Sequence, residues 1–309
     1  MLRYFPFFEA HDASMGIRPY VAHDSLIEID EHYSDEVQLK HTLLDREHSF
    51  YYRAQPQTML AQWEVVALLL DDMARTYPEQ FKLDRQADQW TWQNALLGET
   101  TTFRYEDAAS LPYEPLDWVG RQVQEDLVLL SPDVEARLVG GQLCFPNGWS
   151  LESKWDQPFL EVHKPSPKVV DPTIQTANKL MQRLRPDRPV WRASWNFRLS
   201  TDLDMSNRET ARVIEDFARR VPHLTPENIG EQLWLRIERQ SFVKLPRSQH
   251  TLFLIHTYQS PLESEASDPD RARRMHQTIR TVPRTLLDYR SITPIEDVLL
   301  TYLEGRIQG

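Results

Sequence analysis

The sequence predicts an α+β fold in which helices surround an antiparallel sheet. One observation is a pair of long alternating stretches, EQLWLRIERQSFVKL and TLFLIHTYQSPL, which are typical of two antiparallel strands joined by the short segment PRSQH. Another is that apolar residues recur at three- and four-residue spacing in several other segments, as in helices. Because no repeat, low-complexity segment or Gly/Ser linker interrupts the chain, we predict a single domain over residues 1–309.

The composition argues against several functional classes. The chain has 309 residues, of which 40% are hydrophobic, enough for a sizeable core. The net charge is -11 and the basic residues are scattered, so the electrostatic footprint of a nucleic-acid-binding protein is missing. No apolar run approaches the roughly 20 residues that cross a bilayer, and MLRYFPFFEAHD does not resemble a secretory signal. We therefore expect a cytoplasmic protein without nucleic-acid or membrane partners.

The elements before the strand pair are predicted in chain order. Residues 1–55 are polar and contain prolines, so we expect an irregular segment that wraps around a core of residues 56–262, with SLIEID as an edge strand. A helix is expected to begin after Thr58, and a second helix to cover PLDWVGRQVQEDLVLLSP. In EARLVGGQLCF, Gly140 and Gly141 predict the tight turn of a hairpin between two short strands.

The remaining elements follow the same rules. PTIQTANKLMQRLR has helical spacing, RPVWRASWNFRL alternates like a strand, and SNRETARVIEDFARRV predicts a helix that Ser206 and Glu209 open as a capping box. In the first long strand, alternation places Arg236, Glu238 and Gln240 on one face and Arg239 on the other. Residues 263–309 are expected to form C-terminal helices.

His163 is the strongest candidate for a binding residue. It follows the apolar segment FLEV and precedes Pro165 and Pro167, which force the chain to leave in an extended conformation. A rigidly held neutral imidazole beside an apolar pocket is what an axial haem ligand requires. The alternative is a structural histidine that hydrogen-bonds a backbone carbonyl, and both interpretations are open. His256 is the competing ligand candidate, since it shares a strand face with Leu252 and Leu254.

A second group of candidates consists of charged residues on strands that are rich in aromatic side chains. Arginines in this setting bind carboxylates bidentately, haem propionates included, or they form a structural network with neighbouring acids. Both alternatives are open. The residues are Arg192, Arg236, Glu238 and Arg239.

The other cysteine and histidine residues are weaker candidates. Cys144 is the only cysteine, which excludes an internal disulfide or a multi-cysteine metal site within this chain, and its neighbours predict a buried, inert thiol. The histidines near the N-terminus lie among polar residues and are expected to be solvated: His11, His23, His32, His41 and His48. The catalytic signatures GxSxG, GxxxxGK[ST], HExxH and GxGxxG are absent.

Several short motifs, taken in order, resemble those of the haem-dependent oxidative N-demethylase family. They span residues from about 15 to 262, and their succession is more specific than any one of them. The motifs are MGIRP, IEIDEHY, RTYPEQF, QEDLVLL, LCFPNGW, VHKPSP, RASWNF, LRIERQSFVKLPRS and LFLIHTYQSPL.

The resemblance implies a PAS-like sheet that binds haem b and an oxygenase that removes a methyl group from a small secondary amine such as dimethylamine, releasing formaldehyde. Electrons would come from NADPH through a separate flavin and iron–sulfur reductase. By the resemblance, His163 of VHKPSP is the proximal iron ligand and Glu238 and Arg239 are catalytic. Residues implied to line the haem or substrate pocket are Arg192, Trp195, Arg236 and Gln240.

The sequence departs from the family pattern beside this expected site. Ser166 stands where the family usually has valine, Ser194 where it has asparagine, and SKWDQP lacks an expected glycine. Such changes fit a different substrate preference or a different role on the same fold. The alternative functions are a haem-based sensor, which would use the same histidine, and a binding protein without a cofactor.

Overall fold

The computed structural model describes residues 1–21, 24–164 and 166–308, and it confirms the α+β class. The strands are β1 (Arg18–Pro19), β2 (Tyr52–Ala54), β3 (Phe81–Gln86), β4 (Gln89–Asn94), β5 (Glu99–Arg104), β6 (Asp126–Leu130), β7 (Leu138–Gln142), β8 (Val190–Arg198), β9 (Trp234–Lys244) and β10 (Thr251–Pro261). The helices are α1 (Tyr33–Tyr51), α2 (Met59–Thr76), α3 (Pro115–Gly120), α4 (Leu151–Lys154), α5 (Phe159–Val162), α6 (Asp171–Arg183), α7 (Thr210–Arg220), α8 (Ile229–Gln232), α9 (Leu262–Glu265), α10 (Pro269–Thr281), α11 (Arg284–Tyr289) and α12 (Glu296–Gln308).

A large antiparallel sheet organises the protein, with the strand order β1-β8-β9-β10-β6-β7-β2. Its centre is the predicted pair β9 and β10, in which Thr251 pairs with Lys244 and Pro261 with Trp234. The predicted strand RPVWRASWNFRL is β8, which joins β9 with Arg192 opposite Gln240. The strands β3, β4 and β5 form a separate small sheet. No helix in the described ranges is long and apolar enough to cross a membrane.

The side chains of each strand alternate between the two faces of the large sheet, and other elements pack on both faces. On one face, Leu127, Leu252 and Leu254 pack with α1, α2 and the small sheet, while Leu235 and Ile237 pack with the C-terminal helices. The opposite face, which we call the cavity face, is closed by α5, α6 and α7. Its own small apolar cluster includes Val128, Leu130, Phe242, Ile255 and Met181.

The prediction of an irregular segment over residues 1–55 is wrong for α1, which runs from Tyr33 to Tyr51 with a kink at Glu47. The buried stripe of this helix contains Val37 and Leu44, but it also contains Lys40, which is fully buried. A charged residue in a core position obscured the helical periodicity. SLIEID is also not a strand, and the residues that pair with the edge of β8 are Arg18 and Pro19.

The expected long helix over PLDWVGRQVQEDLVLLSP is a short helix followed by a strand. The helix α3 ends at Gly120, and DLVLL forms β6, whose residues are all buried. A short apolar run that is buried on both faces has no alternation, so periodicity alone does not distinguish it from a helix. The first predicted helix is correct, since α2 begins directly after Thr58, although the Thr58 side chain makes no capping hydrogen bond.

The predicted hairpin at Gly140 and Gly141 is wrong, because both residues lie inside the single strand β7. They serve close packing rather than a turn. A Cβ added to Gly141 would lie 2.8 Å from the carbonyl oxygen of Leu127 and 3.0 Å from Leu151 Cδ2. The absence of a side chain therefore allows β6 and α4 to approach β7.

We expect Gly141→Ala to lower the free energy of unfolding by about 1–3 kcal/mol, because the new methyl group would push against backbone. Gly140→Ala is the matched control, since its added Cβ would meet no atom closer than 3.4 Å. Urea denaturation of both variants measures the difference. Equal losses in the two variants would contradict the explanation.

The predicted capping box of α7 does not form. The helix begins at Thr210 after Glu209, and the Ser206 hydroxyl is buried without a hydrogen bond among the described residues. The α6 prediction is confirmed, with the helix running from Asp171 to Arg183.

Side chains of α1 hold the segment of residues 120–125 through its backbone carbonyls. Lys40 Nζ donates to the carbonyl oxygens of Gly120 at 2.7 Å, Val123 at 3.0 Å and Glu125 at 2.7 Å. Tyr33 Oη donates to the carbonyl of Gln122 at 2.7 Å. Burial lowers the pKa of Lys40, while surrounding acidic groups oppose that effect. The result is a polar attachment inside an otherwise apolar core.

A buried histidine ties the same segment to the sheet. His256 Nδ1 lies 2.9 Å from Glu125 Oε1, and His256 Nε2 lies 3.5 Å from Asp30 Oδ2. Burial alone would lower the pKa of His256, but the charge of Glu125 and the interaction of His256 with the Asp30 carboxylate raise it to about 10. His256 is therefore a protonated partner of two carboxylates, which removes it as a neutral ligand.

We expect the His256 contribution to stability to depend on pH in the alkaline range. The folded pKa of about 10 exceeds the ordinary value of 6.5, so the contribution is complete below pH 6.5 and is lost as the pH rises through about 10. The difference in unfolding free energy between the wild type and His256→Gln should fall across this range by up to about 1.4 kcal/mol per pH unit. Denaturant unfolding at a series of pH values measures it, and parallel pH profiles would refute the expectation.

Candidate functional site

The main feature of the cavity face is a cavity of about 970 Å³, a volume at the upper end of the range for ligand sites. Its floor is formed by strands β8, β9 and β10, and its walls come from α5, α6, α7 and the loop after α11. The floor carries charged and polar side chains, whereas the walls are mainly apolar. Floor residues include Arg192, Ser194, Asn196, Arg198, Arg236, Glu238, Gln240, Phe242, Phe253 and Ile255.

His163 lines this cavity from the C-terminal end of α5. Its ring packs against Phe159 with the ring centroids 4.3 Å apart. The residue after Lys164, Pro165, lies outside the described residues, and the backbone N–H of Ser166 donates to the His163 carbonyl at 2.9 Å. The chain therefore leaves His163 through a turn, not directly in the extended conformation that the prolines predicted.

The hydrogen bond of His163 defines the state of its imidazole. Nδ1 lies 2.8 Å from the carbonyl oxygen of Phe159, so Nδ1 carries the proton and Nε2 keeps its lone pair. Burial lowers the pKa of His163, and the nearby charges of Lys154 and Arg192 lower it further against the effect of this hydrogen bond. Nε2 makes no hydrogen bond within the part of the chain that the structure describes. This bond to a backbone carbonyl is the one expected of a structural histidine, and a ring fixed in this way with the other nitrogen free is also typical of a metal-ligating histidine.

The structure brings together four of the residues proposed for the site. Arg192, Arg236, Glu238 and Gln240 all line the cavity, and Arg192 lies directly opposite Gln240 on the neighbouring strand. Gln240 Nε2 donates to Glu238 Oε2 at 3.0 Å, and Arg236 Nε lies 3.8 Å from Glu238 Oε1. Strand alternation had placed Arg236, Glu238 and Gln240 on one face, whereas Arg192 was a candidate from its aromatic-rich strand and from the resemblance.

Arg239 lies apart from these residues, on the opposite face of the sheet. Its guanidinium donates to the carbonyl oxygens of Leu26 at 3.0 Å and Ser25 at 2.6 Å, and to Tyr20 Oη at 2.8 Å. These bonds attach the N-terminal segment to β9. The pattern of alternating side chains already separated Arg239 from Glu238, and the two do not share the cavity.

Trp195 also faces away from the cavity floor, although it is part of the lining. Its ring packs against Phe7 with a centroid distance of 4.7 Å, and the guanidinium carbon of Arg290 lies 4.1 Å above the ring. We therefore assign Trp195 to the edge of the cavity.

Arg236 is anchored by the backbone around it. Its Nη2 donates to the carbonyl oxygen of Phe145 at 2.7 Å, and its Nη1 approaches the carbonyls of Asp202 and Leu203 at 3.4 and 3.3 Å. Burial lowers the pKa of Arg236, and the charge of Glu238 opposes this effect. Arg236 thus holds loops on the cavity wall and supplies positive charge next to Glu238.

Three further arginines at the cavity were not found from the sequence: Arg198, Arg290 and the exposed Arg212. Arg198 ends β8, and Arg290 comes from the segment after α11, which approaches β8 only in the folded chain. Burial lowers the pKa of each to about 10, and a neighbouring arginine adds to the effect, Arg236 for Arg198 and Arg192 for Arg290. No motif indicated Arg290, because it lies far along the chain from the recognised motifs.

The arginines at the cavity have few carboxylates nearby to balance their positive charge. The Nε atoms of Arg192, Arg198 and Arg236 are buried and have no hydrogen-bond partner in the described chain. The carboxylates in the lining are Glu238, Asp216 and Asp288, and Asp216 already pairs with Arg219. An anionic ligand would satisfy these groups, since an unpaired buried charge is costly.

The walls of the cavity offer apolar surface to a ligand. In α7, Val213 and Phe217 line the cavity, and none of the residues of this helix is fully buried. In α6, Ile174 and Ala177 do the same, with Met181 as the buried residue of that helix. A flat apolar ligand between these helices and the sheet would cover both stripes.

The remaining histidine and cysteine candidates lie outside the large cavity. Cys144 is fully buried, and burial raises the pKa of its thiol well above the ordinary value, as expected for an inert cysteine. His48 and His32 are exposed, whereas His41 is half-buried and contacts the carbonyl oxygen of Arg121 at 3.0 Å. His23 lies outside the described residues.

These features fit haem. In the described ranges no group of three or more His, Cys, Asp and Glu side chains is arranged to hold a metal ion, so the cavity offers a metal one imidazole. One axial imidazole is enough for haem iron, because the porphyrin supplies the equatorial ligands. The orphaned arginine nitrogens suit the propionates, and the apolar stripes of α6 and α7 suit the porphyrin ring. Ser166 and Ser194, where the sequence departs from the family pattern, both line the cavity.

Comparison with known protein families gives one match. The model of a family described as haem-dependent oxidative N-demethylase, alpha subunit-like, matches residues 16–300. The matched range contains every strand of the large sheet, His163 and every floor residue of the cavity.

Proposed function

Because the chain belongs to the haem-dependent oxidative N-demethylase, alpha subunit-like family, we propose that it binds haem b in the large cavity and removes a methyl group from a small secondary amine. The observation that carries the proposal is His163, whose Nδ1 is bonded to the Phe159 carbonyl while Nε2 is left free at the cavity wall. Dimethylamine is the simplest substrate of this class, and formaldehyde is the second product.

Haem would supply the activation of oxygen and the oxidation of the N-methyl carbon. In balance, the amine, O2, an electron pair and a pair of protons give the demethylated amine, formaldehyde and water. The electron pair would come from NADPH through a separate flavin and iron–sulfur reductase, a requirement that agrees with the single cysteine of this chain. The words alpha subunit-like in the family description support a multi-subunit arrangement.

The residues of this chain have distinct tasks in the proposal. His163 would supply a neutral nitrogen to the iron, and Arg192 and Arg198 would supply positive charge for the propionates or other anions. Glu238 is the acidic group of the floor that is nearest to both Arg236 and Gln240, and it accepts the N–H of a bound amine. The apolar side chains of α6 and α7 keep water away from the reacting carbon. Arg239 has no contact with the site, so we propose only a structural role for it.

The test uses the full chain, haem and an electron supply. Haem titration should give a Soret band that saturates at about one haem per chain. With NADPH and a surrogate ferredoxin and ferredoxin reductase, deuterated dimethylamine should yield deuterated formaldehyde only when O2 is present. Haem binding without amine oxidation would favour a sensor, and a protein that binds no haem would refute both the oxygenase and the sensor.

A further inference from the structure

Arg192 is a half-buried arginine of the cavity floor. Within the described residues its guanidinium makes no hydrogen bond, and its Nε is fully buried. Burial lowers the pKa of Arg192, opposed by the charge of Glu238. By contrast, Arg236 binds backbone carbonyls, and Arg290 Nη1 donates to the Trp195 carbonyl at 2.5 Å. Arg198 is also bonded, to the Phe197 carbonyl at 3.0 Å and to Asn147 Oδ1 at 2.7 Å. Arg192 is therefore the floor arginine that is left for a ligand.

Arg192 also lies where two cavities meet. A second cavity of about 150 Å³ lies between the N-terminal segment of residues 3–18 and the edge of β8. Arg192, Ser194 and Arg290 line this small cavity as well as the large one. A group bound to Arg192 from the large cavity would therefore reach the junction with the small one.

The small cavity is positively charged although the protein as a whole is acidic. Four arginines line it against one acid, Asp12, whereas the whole chain has a net charge of -11. Arg3 is paired with Glu28 at 2.7 Å, and Arg18 stacks on Trp191. The local potential still favours an anion over a cation at the junction.

Arg192 and Glu238 provide opposite charges on the same face of the sheet. Arg192 pairs with Gln240 across β8 and β9, so Glu238 is a diagonal neighbour of Arg192. Diagonal side chains of this length can contact one small molecule. Their charges match a carboxylate and an ammonium group that are close together, as in an amino acid.

We propose that Arg192 binds a carboxylate at the junction of the two cavities, and that this carboxylate belongs to an N-methylated amino acid whose ammonium group pairs with Glu238. The inference rests on the proposed function, because it names the substrate class of that same site. A planar guanidinium binds a carboxylate bidentately and thereby orients the N-methyl group. The alternative source of the carboxylate is a haem propionate.

The experiment compares N-methylglycine with dimethylamine, which lacks the carboxylate. Both are titrated into the haem-loaded protein and followed by the change in the Soret band. The wild type should bind N-methylglycine at least about tenfold more tightly, as expected for a charge-assisted hydrogen bond. Arg192→Gln should remove the preference for N-methylglycine, whereas Arg192→Lys should retain part of it.

The matched control is Arg212→Gln. Arg212 also lines the large cavity, but its guanidinium is exposed and already paired with Asp202 and Glu209, each at 2.7 Å. This variant should keep the wild-type preference for N-methylglycine. An equal loss in both arginine variants would overturn the specific role of Arg192.

Haem with esterified propionates separates the two carboxylate sources. If Arg192→Gln weakens binding of haem but not of its diester, and N-methylglycine shows no advantage, the amino-acid assignment is overturned in favour of a propionate. If neither ligand depends on Arg192, the carboxylate site itself is overturned. If the wild type binds no haem, the proposed function fails, and calorimetry with N-methylglycine on the cofactor-free protein decides the site: dependence on Arg192 supports it, and no binding overturns it.

Discussion

Replacing His163 with alanine should abolish stable haem binding, or shift the Soret band if another ligand takes the iron. The physical reason is the state of the imidazole: Phe159 fixes Nδ1, and burial lowers the pKa so that Nε2 stays neutral. Without this nitrogen, haem would be held only by apolar contacts and the arginines. Haem titration by absorbance, at equal protein concentrations, measures the loss.

His250→Ala is the matched control for this change. Like His163, His250 is partly buried, its pKa is lowered by burial, and its Nδ1 contacts a backbone carbonyl, that of Ser248 at 3.2 Å. It lies in the turn before β10 and does not line the cavity. We expect wild-type haem affinity for this variant. Unchanged haem binding in His163→Ala would rule out His163 as the axial ligand.

Lys40→Met should destabilise the protein more than any other substitution considered for the core. Methionine has a similar length but no donors, so the carbonyl oxygens of Gly120, Val123 and Glu125 would be left buried and unpaired. We expect a loss of about 3 kcal/mol or more, because a buried acceptor without a partner retains its full desolvation cost. The measurement is the shift in the urea concentration at the midpoint of unfolding, with the dependence of the unfolding free energy on urea concentration unchanged.

Lys82→Met provides the comparison for Lys40. Lys82 lies on β3 with its side chain exposed, so its replacement should change the free energy of unfolding by less than about 0.5 kcal/mol. A loss for Lys40→Met no larger than that for Lys82→Met would show that the three carbonyls find other partners.

The sequence predicted the centre of the site better than its periphery. Strand alternation identified the shared face of Arg236, Glu238 and Gln240, since a period of two residues follows directly from strand geometry. The prolines after His163 predicted an extended exit, whereas the chain first makes a turn closed by the Ser166 N–H and the His163 carbonyl. Arg290 was missed because its approach to β8 depends on the packing of the C-terminal helices, which no local pattern encodes.

The errors in the fold prediction have physical causes of the same kind. Lys40 obscured the helical pattern of α1, because it places a charged residue at a core position. Its ammonium group donates hydrogen bonds to the distant segment of residues 120–125. Gly140 and Gly141 suggested a turn because such a pair is common in tight hairpins. Their role in the structure is to allow β6 to approach β7 closely, which the local sequence does not show. In both cases long-range contacts overrode a local preference.

The large sheet ends in very short outer strands, β1 at one side and β2 at the other. Because β1 pairs only with Val190 and Trp191, most of β8 has no neighbouring strand on that side. On this open edge, the Arg290 side chain donates a hydrogen bond to the carbonyl oxygen of Trp195. Short outer strands, a proline and a bound arginine all discourage strand addition from another chain. Arg290 therefore has two structural roles, since it lines the cavity and also covers part of the open edge of β8.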